Sequence, residues 1–523
     1  MAAKRHDMPE NTAVAHWNSP SGDALADLPL RRTQGLLHGS VRGQFFAHNP
    51  NGYDALALLS RRTWHFVQLA DGRSARELAH VIAPGDPRAL ASLLSDLPML
   101  LRNGFVHTPS VAAYRPQQPP RTFNAWLHLT NACNLACPYC YIHKSSGHMT
   151  SDVATQLLIS IEQTARSGDV DRIHVRFAGG EPMLRFTQLQ QFYTDARQIC
   201  RPHGVEFSAA ILTNGTVVPK DAAQWLKVNN IQVSVSIDGI EELQDVMRPV
   251  VGGGSSFSRL KNGLQAYLDQ GIRPYILITV GQSNLDGLPA LTHWLLEMGL
   301  GFRYSLVRDL EWGSGLLDDR HGAAEAGDDT RENAPIALLS GEPLRRMQRV
   351  FGQCYDLIEQ AMLQNHAKGR ALRPSFRQTH KFCDLQPWQP IRKACGAGSS
   401  YAAISETGTV SPCQAALHHE GTSPLTATSL LRQARDQTQF ASFERKTGNP
   451  ECNRCRHKPS CAGGCPLLLH RREGHIDGRS PYCEVFRAVL PRIVELAALE
   501  LLLQRQRPTR HEPADPPQIV VQI

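Results

Sequence analysis

The centre of the chain alternates between strand-like and helix-like hydrophobic patterns. Six apolar runs with strand character lie between positions 122 and 308: Phe123–Leu129, Ile173–Ala178, Val205–Leu212, Ile231–Ile237, Pro274–Val280 and Phe302–Val307. Five segments with helical spacing separate them: Asp152–Arg166, Phe186–Cys200, Lys220–Val228, Phe257–Asp269 and Leu285–Met298. Strands that alternate with helices predict a parallel α/β barrel or open sheet. Such sheets bind their ligands at the carboxyl ends of the strands.

A smaller unit is predicted over residues 43–111. The pattern indicates a strand, three helices and a closing strand, in the order Tyr53–Leu59, Thr63–Ala70, Ser74–Val81, Pro87–Arg102 and Gly104–Val106. Glu77 follows Ser74 by three residues, which predicts a capping box at the start of the second helix. This order is typical of a winged-helix module. A DNA-binding version would need clustered basic residues on the second helix, which has Arg76 alone, so no nucleic-acid partner is expected.

The remaining segments differ in character. Residues 1–35 and 505–523 read as loose tails, 310–340 as a mobile insertion rich in Gly, Asp and Ala, and the proline-rich Arg115–Arg121 as a linker. Helices are predicted over Pro343–Gln364 and Pro481–Gln504. Residues 383–490 contain eight cysteines in a loop-like, glycine-rich stretch. That combination is typical of a domain organised by metal ligation rather than by a large core.

Composition narrows the possibilities. The chain has 523 residues, 41% of them hydrophobic, which excludes a wholly disordered or fibrous protein. A net charge of +7 is modest for this length and requires no acidic partner. Apolar runs are too short to cross a bilayer, and Met1–Pro20 lacks the apolar core of a signal peptide, so a cytoplasmic protein without a membrane partner is expected. Thiols stay reduced there, and the 13 cysteines therefore indicate metal ligation rather than a disulfide framework.

The first cysteine group directly follows the first predicted barrel strand. Cys133, Cys137 and Cys140 have the spacing Cys-x3-Cys-x2-Cys. Three thiolates can hold three irons of a [4Fe–4S] cluster, which leaves the fourth iron open for a substrate or cofactor. A zinc knuckle with a distant fourth ligand, or buried reduced thiols, are the alternatives.

This loop, with an aromatic residue before its last cysteine, resembles the signature of the radical S-adenosylmethionine (radical SAM) enzymes. Later segments resemble the cofactor-binding motifs of that family in the same order, each after a predicted strand. The resemblance implies a partial (β/α)6 barrel over residues 122–308. It also implies S-adenosyl-L-methionine contacts at Tyr139, Gly179, Gly180, Glu181, Pro182, Asn214, Ser234, Ser236, Asp238 and Arg248.

The resemblance further implies roles for these residues. Gly179–Pro182 would contact the methionine amino group, Tyr139 would offer its backbone to the adenine, and Ser234–Gly239 would contact the ribose and carboxylate. A reduced cluster gives one electron to the sulfonium, and the resulting 5′-deoxyadenosyl radical abstracts a hydrogen atom. The protein positions the cofactor and excludes water. An electron donor such as flavodoxin or ferredoxin is expected.

The second cysteine group resembles the SPASM domain, a C-terminal extension of radical SAM enzymes that binds two auxiliary [4Fe–4S] clusters. The resemblance assigns Cys395, Cys413 and Cys465 to auxiliary cluster one. It assigns Cys452, Cys455, Cys461 and Cys483 to auxiliary cluster two, with Cys383 as the candidate for the eighth ligand. A pair of structural zinc sites is the alternative. Cys200 and Cys354 match neither group and are expected to be core thiols.

The expected fold class is therefore α/β: a partial (β/α)6 radical SAM barrel with a small N-terminal winged-helix-like module and a C-terminal cysteine-rich iron–sulfur (SPASM) domain. SPASM enzymes mostly modify peptides and proteins. The sulfatase maturases among them place a catalytic Asp where this chain has Gln414, and this departure favours maturases that cross-link ribosomally made peptides. Residues 43–111 faintly resemble peptide-recognition modules that bind a precursor peptide as an added strand; a structural extension packed on the barrel is the alternative.

Three functions are consistent with the sequence. The leading hypothesis is a radical SAM/SPASM maturase that installs a cross-link oxidatively in a precursor peptide. The second is oxidation or epimerisation of a residue in a protein, or of a small molecule. The third is a zinc-stabilised binding protein without turnover.

Overall fold

The computed structural model describes residues 25–111, 120–308, 341–370, 375–376, 381–391, 395–417, 422–436, 449–473 and 478–506. The expected insertion at 310–340, most of the linker, residues 1–24 of the N-terminal tail and residues 507–523 of the C-terminal tail lie outside these ranges. Within the described ranges, no helix combines the length and apolar character that a bilayer crossing requires.

The N-terminal module consists of five strands and three helices: β1 (Arg31–Arg32), β2 (Leu37–Val41), β3 (Gln44–His48), β4 (Leu56–Leu59), α1 (Arg61–Leu69), α2 (Ala75–Ile82), α3 (Pro87–Arg102) and β5 (Val106–His107). Strands β2, β3 and β4 form an antiparallel meander, and β1 pairs with β5. The expected capping box is present at α2, where Ser74 and Glu77 each bind the backbone of the other. The module is winged-helix-like, as predicted.

The start of this module differs from the sequence prediction. Residues 25–35 were expected to belong to a loose tail, but Leu25 and Leu30 are buried in the module's core and β1 closes against β5. Strands β2 and β3 were also not predicted. Leu37–Val41 contains His, Gly and Ser at its centre, and its alternation of apolar and polar positions is too short to stand out from a loop.

The barrel follows, and its six strands and five of its helices agree with the predicted ones to within a few residues at each end, whereas the short helix Glu242–Met247 was not predicted. They are β6 (Thr122–Thr130), α4 (Ser151–Arg166), β7 (Arg172–Gly179), α5 (Phe186–Cys200), β8 (Glu206–Thr213), α6 (Ala222–Val228), β9 (Gln232–Ser236), α7 (Glu242–Met247), α8 (Ser256–Asp269), β10 (Tyr275–Val280), α9 (Leu288–Glu297) and β11 (Phe302–Leu306). The six strands are parallel and neighbour one another in chain order. The predicted partial (β/α)6 barrel is therefore confirmed.

The two faces of the barrel strands have different chemistry. The outer face carries apolar residues that pack under the helices, for example Phe177, Ile211 and Val235. The inner face, called the lumen below, carries polar residues at the alternating positions: Asn124, His174, Arg176, Ser208, Ser234, Ser236 and Arg303. A polar lumen below the carboxyl ends of the strands is suited to hold a polar ligand rather than to serve as a core.

The cysteine-rich domain extends the barrel sheet at both edges. Its elements, with the long helix that precedes it, are α10 (Gly341–Ala367), β12 (Lys381–Phe382), β13 (Tyr401–Ile404), β14 (Thr409–Ser411), β15 (Ser423–Pro424), α11 (Leu430–Asp436), α12 (Pro450–Arg454), α13 (Lys458–Cys461), α14 (Pro466–Glu473) and α15 (Cys483–Arg505). Strand β12 pairs with β11, and β13 pairs with β6, both in parallel. The domain thus joins the two open edges of the barrel and stands beside its ligand-binding end.

Helix α15 packs between the N-terminal module and the rest of the protein. It packs against α10 and across the β2–β3–β4 sheet. Leu37, Phe46 and Leu58 of that sheet belong to the same hydrophobic core as α15 and the barrel. The amide of Asp54 also donates to the carbonyl of Trp388 at 2.7 Å. The N-terminal module is therefore packed on the rest of the protein through a shared core.

Candidate functional site

The three-cysteine loop lies at the carboxyl end of β6. Cys133, Cys137 and Cys140 gather around the buried side chains of Leu135 and Val250. The loop is anchored by its backbone: the amide of Ala136 donates to the Pro249 carbonyl at 2.7 Å, and the amide of Val251 donates to the Asn134 carbonyl at 3.0 Å. The residues after α7 therefore hold the three thiols in one place.

Polar groups surround Cys133. The Leu135 amide donates to its Sγ at 3.4 Å, and Asn214 Nδ2 lies 3.8 Å from the same sulfur. Burial raises the pKa of Cys133 to about 11, opposed by the Leu135 amide and by the positive charge of Lys144. Lys144 also donates to the Leu135 carbonyl. No pattern in the sequence distinguishes Lys144 from the other polar residues that follow the loop.

The glycine pair after β7 lies directly on the cysteine loop. The Gly180 amide donates to the Thr130 carbonyl at 2.7 Å, and the Glu181 amide donates to the Ala132 carbonyl at 2.9 Å. A Cβ atom at Gly180 would lie 2.0 Å from the Ala132 oxygen, which no side chain can tolerate. Glycine is needed here because two backbones approach each other, rather than to make a turn.

Glu181 is fully buried and ties this turn to the end of β8. Its carboxylate accepts hydrogen bonds from Thr213 Oγ1 at 2.7 Å, the Asn214 amide at 2.7 Å and the Met183 amide at 3.0 Å. Burial raises the pKa of Glu181 to about 7, although these donors stabilise the charged form. Pro182 begins the short 3-10 turn that follows, Pro182–Arg185. Glu181 and Asn214, predicted separately from two motifs, are thus brought together.

A second buried group lies after β9. Arg248 Nε donates to Asp238 Oδ2 at 2.7 Å, and the Tyr139 hydroxyl donates to the same carboxylate oxygen. The Thr279 amide donates to Asp238 Oδ1 at 2.7 Å. The Arg248 guanidinium also lies over the Tyr139 ring, 5.5 Å from its centre. Tyr139 was expected to contribute its backbone; the structure adds a role for its hydroxyl.

Two residues that the sequence did not single out hold Asp238 in place. Gln244 Oε1 accepts hydrogen bonds from the amides of Asp238 and Gly239, at 2.8 and 3.2 Å. Asn284 Nδ2 donates to the Asp238 carbonyl at 2.8 Å. Both belong to segments without a motif, so no sequence signal could have identified them. Ser234 and Ser236 lie half-buried on the lumen face of β9, below this group.

The cysteines proposed for auxiliary cluster one gather on the other side of the lumen. Cys395, Cys413 and Cys465 pack with Tyr141, which directly follows the first cysteine loop. Burial raises the pKa of Cys395 to about 12, and the neighbouring thiols of Cys465 and Cys413 add to the effect. Cys383 follows β12, and its Sγ accepts a hydrogen bond from Arg308 Nη2 at 3.3 Å.

The cysteines proposed for auxiliary cluster two come from two short helices and one long one: Cys452 and Cys455 from α12 and its C-terminal cap, Cys461 from α13, and Cys483 from α15. Burial raises the pKa of Cys461 to about 12, with contributions from Cys455, Cys483 and Cys452, so the four thiols lie near one another. Between Cys461 and Cys465, three successive residues have positive φ angles, 41°, 82° and 86° at Ala462, Gly463 and Gly464. This left-handed turn directs the two cysteines toward different groups, and the Gly463 amide donates to Cys461 Sγ at 3.2 Å.

These donor sets suit iron–sulfur clusters. Four thiolates on one zinc ion would stand roughly 3.8 Å apart, given a Zn–S bond of ~2.3 Å. In the described part of the chain, no three Cys, His, Asp or Glu side chains form a group that could hold a single metal ion. Thiolates on the separate irons of a cubane stand farther apart, and an all-cysteine, half-buried set is its usual environment. Cys200 and Cys354, by contrast, are fully buried among apolar core residues.

Gln414 lies beside Cys413 at the edge of the lumen. Its Oε1 accepts a hydrogen bond from the Tyr401 hydroxyl at 2.6 Å. Tyr401 packs with Trp126 and Ala178 of the lumen wall. The position that would carry a catalytic carboxylate in sulfatase maturases is therefore a neutral amide engaged with a tyrosine.

Comparison with known proteins agrees with this arrangement. Residues 127–295 match the family model of the radical SAM superfamily. The mycofactocin maturase MftC of Mycolicibacterium smegmatis is 25% identical over 68% of this chain and 81% of its own length. The AdoMet-dependent heme synthase of Nitratidesulfovibrio vulgaris is 24% identical over 69% of this chain and 91% of its own length. The solved structure of anSMEcpe with bound AdoMet, 17% identical, covers 74% of this chain and 100% of its own with a TM-score of 0.54, which shows a shared fold.

Proposed function

We propose that this chain, a radical SAM enzyme with a C-terminal SPASM domain, is a maturase that oxidatively cross-links a ribosomally synthesised peptide. Its cofactors are S-adenosyl-L-methionine, the [4Fe–4S] cluster that binds it, and two auxiliary [4Fe–4S] clusters. The observation that carries the proposal is the neutral Gln414–Tyr401 pair beside the cysteines proposed for auxiliary cluster one. The resemblance of the N-terminal module to peptide-recognition modules supports it.

We assign the cofactor contacts to the residues that the structure gathers. Cys133, Cys137 and Cys140 would hold the cluster that binds S-adenosyl-L-methionine, at the open end of the lumen. When bound, this cluster and S-adenosyl-L-methionine would supply a 5′-deoxyadenosyl radical that abstracts a hydrogen atom from the substrate.

The surrounding residues would position the cofactor. The buried Glu181 carboxylate fixes the ends of β7 and β8 relative to the cysteine loop. The Asp238–Arg248 pair fixes the end of β9 relative to Tyr139. Ser234 and Ser236 present hydroxyl groups to the lumen between these two anchors. Preorganised polar groups of this kind orient a charged cofactor without having to rearrange when it binds.

Peptide binding is assigned to the outer edge of β2. Its side chains at His38 and Ser40 are exposed, whereas every residue of β4, the other edge strand, is buried. The β2–β3 register pairs Val41 with Gln44 across a two-residue turn, so the amides of His38 and Ser40 point away from β3. An extended peptide can therefore add to this edge as a further strand.

Gln414 favours cross-linking over sulfatase-type oxidation. An amide cannot act as a general base near neutral pH, so a reaction that depends on a carboxylate at this position is disfavoured. After the first hydrogen abstraction, cross-linking requires the substrate to lose one more proton and one electron. We assign the proton to a group other than residue 414, and the electron would pass to an auxiliary cluster. Oxidation or epimerisation of a protein residue remains the second candidate. A small-molecule substrate is the other form of this second candidate, and the similarity to a heme synthase supports it.

Co-expression tests the proposal directly. The full chain is produced under iron-replete, anaerobic conditions with each short open reading frame encoded beside its gene, and the peptide is analysed by tandem mass spectrometry. We expect the loss of two hydrogen atoms and suppressed fragmentation between two residues. The Cys133→Ala variant is the control and should leave the peptide unmodified.

Two other outcomes separate the alternatives. A peptide of unchanged mass in which a residue has the inverted Cα configuration would favour the second candidate. An oxidised peptide without a cross-link would favour it as well. An unmodified peptide, from enzyme that still cleaves S-adenosyl-L-methionine, would reject a peptide substrate and direct the search to a larger protein or a small molecule.

A further inference from the structure

Arg308 lies just beyond β11, at the ligand-binding end of the barrel. Its Nη2 atom donates to Asp384 Oδ1 at 2.8 Å and to Cys383 Sγ at 3.3 Å. The Arg308 side chain is 29% exposed and that of Asp384 is 18% exposed. The pair is thus largely withdrawn from solvent, where a charge acts on its neighbours more strongly than in water.

The other cysteines proposed for auxiliary cluster one lie within electrostatic reach of Arg308. Asp384, then Cys465, Cys383 and Cys413, raise the pKa of Arg308 well above its ordinary value. In return, Arg308 lowers the pKa of Cys395 against the larger effect of burial. The charge of Arg308 therefore acts on all four thiols, which come from four separate segments of the chain, and its direct contact is with the sulfur of Cys383.

We propose that Arg308 raises the reduction potential of auxiliary cluster one and that Asp384 partly offsets it, so that this cluster is poised to accept an electron. The inference rests on the proposed ligand assignment of Cys383, Cys395, Cys413 and Cys465.

The direction follows from charge. Reduction of the cluster adds one electron and no proton, which makes the group more negative. A fixed positive charge nearby stabilises the reduced form, and a fixed negative charge destabilises it. Arg308 Nη2 lies 3.3 Å from the Cys383 sulfur and donates to it, whereas Asp384 Oδ1 lies 3.6 Å from the same sulfur, so the guanidinium is the nearer of the two opposing charges. The net effect of the pair is therefore a higher potential.

The test uses the full chain in a Cys133→Ala background, which removes the cluster that binds S-adenosyl-L-methionine and leaves the two auxiliary clusters. Midpoint potentials are measured anaerobically by electron paramagnetic resonance during a redox titration. Arg308→Met should shift one of the two midpoint potentials to more negative values by at least 59 mV. For a one-electron couple, this is a tenfold change in the reduction equilibrium constant. Auxiliary cluster two is the internal reference and should not shift.

Three further variants separate charge from structure. Arg308→Lys keeps the charge and should retain most of the potential. Asp384→Asn removes the opposing charge and should shift the potential to more positive values. Arg492→Met, a similarly buried arginine (23% exposed) with three carboxylate partners on the far helices, should change neither potential.

Other results would overturn the proposal. Equal shifts in Arg308→Met and Arg308→Lys, shifts of the same sign in Arg308→Met and Asp384→Asn, or no shift with the cluster retained would each do so. If Arg308→Met loses iron, the sign of the Asp384→Asn shift decides. Because no substrate is used, the outcome does not depend on whether the enzyme cross-links peptides. If Cys383→Ser leaves the auxiliary iron and its spectrum unchanged, the ligand assignment itself is wrong.

Discussion

Arg248 donates from Nε to Asp238 Oδ2 across 2.7 Å, and the two side chains are 10% and 0% exposed. The same carboxylate is held from its other oxygen by the Thr279 amide, and Tyr139 of the cysteine loop donates to it as well. One buried ion pair therefore connects the cysteine loop, the end of β9 and the end of β10.

Removal of one partner of this ion pair should lower the free energy of unfolding strongly. Asp238→Asn leaves the Arg248 charge buried without its counter-charge, and we expect a loss of about 3–5 kcal/mol in the free energy of unfolding. Urea denaturation of the anaerobic protein measures it. Asp286→Asn is the matched control, because Asp286 pairs with Arg346 on the surface, where side chains are 67% and 43% exposed. Its loss should stay below about 1 kcal/mol, and similar losses in both variants would contradict the argument.

Gly180→Ala should empty one cluster site selectively. The added Cβ would lie 2.0 Å from the Ala132 oxygen, so the cysteine loop must move. We expect iron to fall from about twelve to about eight atoms per chain, at four per cluster, with auxiliary iron retained. Iron analysis and loss of 5′-deoxyadenosine formation measure the change. Gly352→Ala, in α10 with nothing within 4 Å of the new Cβ, should keep full iron content. Full iron in Gly180→Ala would show that the loop tolerates the displacement.

His174 should make the protein less stable in mild acid. Burial, with help from Arg176 and Arg172, lowers the pKa of His174 from 6.5 to about 3. As pH falls through 6.5, the unfolded chain binds a proton at this residue and the folded chain does not. Stability is therefore intact above pH 6.5 and is lost progressively toward pH 3, with a loss of about 2 kcal/mol at pH 5.

His174→Gln removes this titration, so its unfolding free energy should fall about 2 kcal/mol less between pH 8 and pH 5 than that of the unmodified protein. Urea denaturation at the two pH values measures the difference. His293→Gln, at a side chain that is 60% exposed, is the control and should follow the unmodified protein. A His174→Gln curve parallel to both would contradict the assignment. His457, whose pKa burial lowers to about 4, contributes in the same direction and remains in every variant.

Proline at the outer edge of β2 should weaken peptide binding. Ser40→Pro removes an amide that points away from β3, so the meander keeps its own hydrogen bonds. The ligand is the full-length precursor peptide that co-expression identifies as the substrate. We expect fluorescence anisotropy to show at least tenfold weaker binding of this peptide, with an unchanged rate of S-adenosyl-L-methionine cleavage in the absence of peptide. Ser40→Ala keeps the amide and should bind normally. Normal binding by Ser40→Pro would place the peptide elsewhere.

The sequence predicted the barrel well because its signals are local. Each strand carries a strong apolar run, and each motif follows one of these strands, so chain order alone brings Cys133, Gly180, Asn214 and Asp238 to the same end of the sheet. The partners that hold them are not local. Gln244, Asn284 and Lys144 act through side-chain hydrogen bonds from segments with no pattern of their own.

Similar reasons explain why the sequence did not predict the burial of Leu25 and Leu30 or the contact between Arg308 and Cys383. Leu25 and Leu30 lie in a short apolar run, Ala24–Leu30, that Asp27 and Pro29 interrupt, so it has no strand or helix period, and their burial depends on a core supplied by α1, α2 and α3. Arg308 borders a segment without periodicity, and its importance depends on Cys383, which follows it by 75 residues. No spacing rule connects residues so far apart.

The packing of α15 has a consequence for how the protein is made. The β2–β3–β4 sheet is synthesised early, yet the surface that covers one of its faces is the last described helix of the chain. During translation that face stays exposed until residues 483–505 have left the ribosome. Because α15 begins at Cys483, the same late event completes both the N-terminal sheet and the cysteine set proposed for auxiliary cluster two. Cluster assembly and closure of the N-terminal module are thus expected to occur together, once α15 has packed on the sheet.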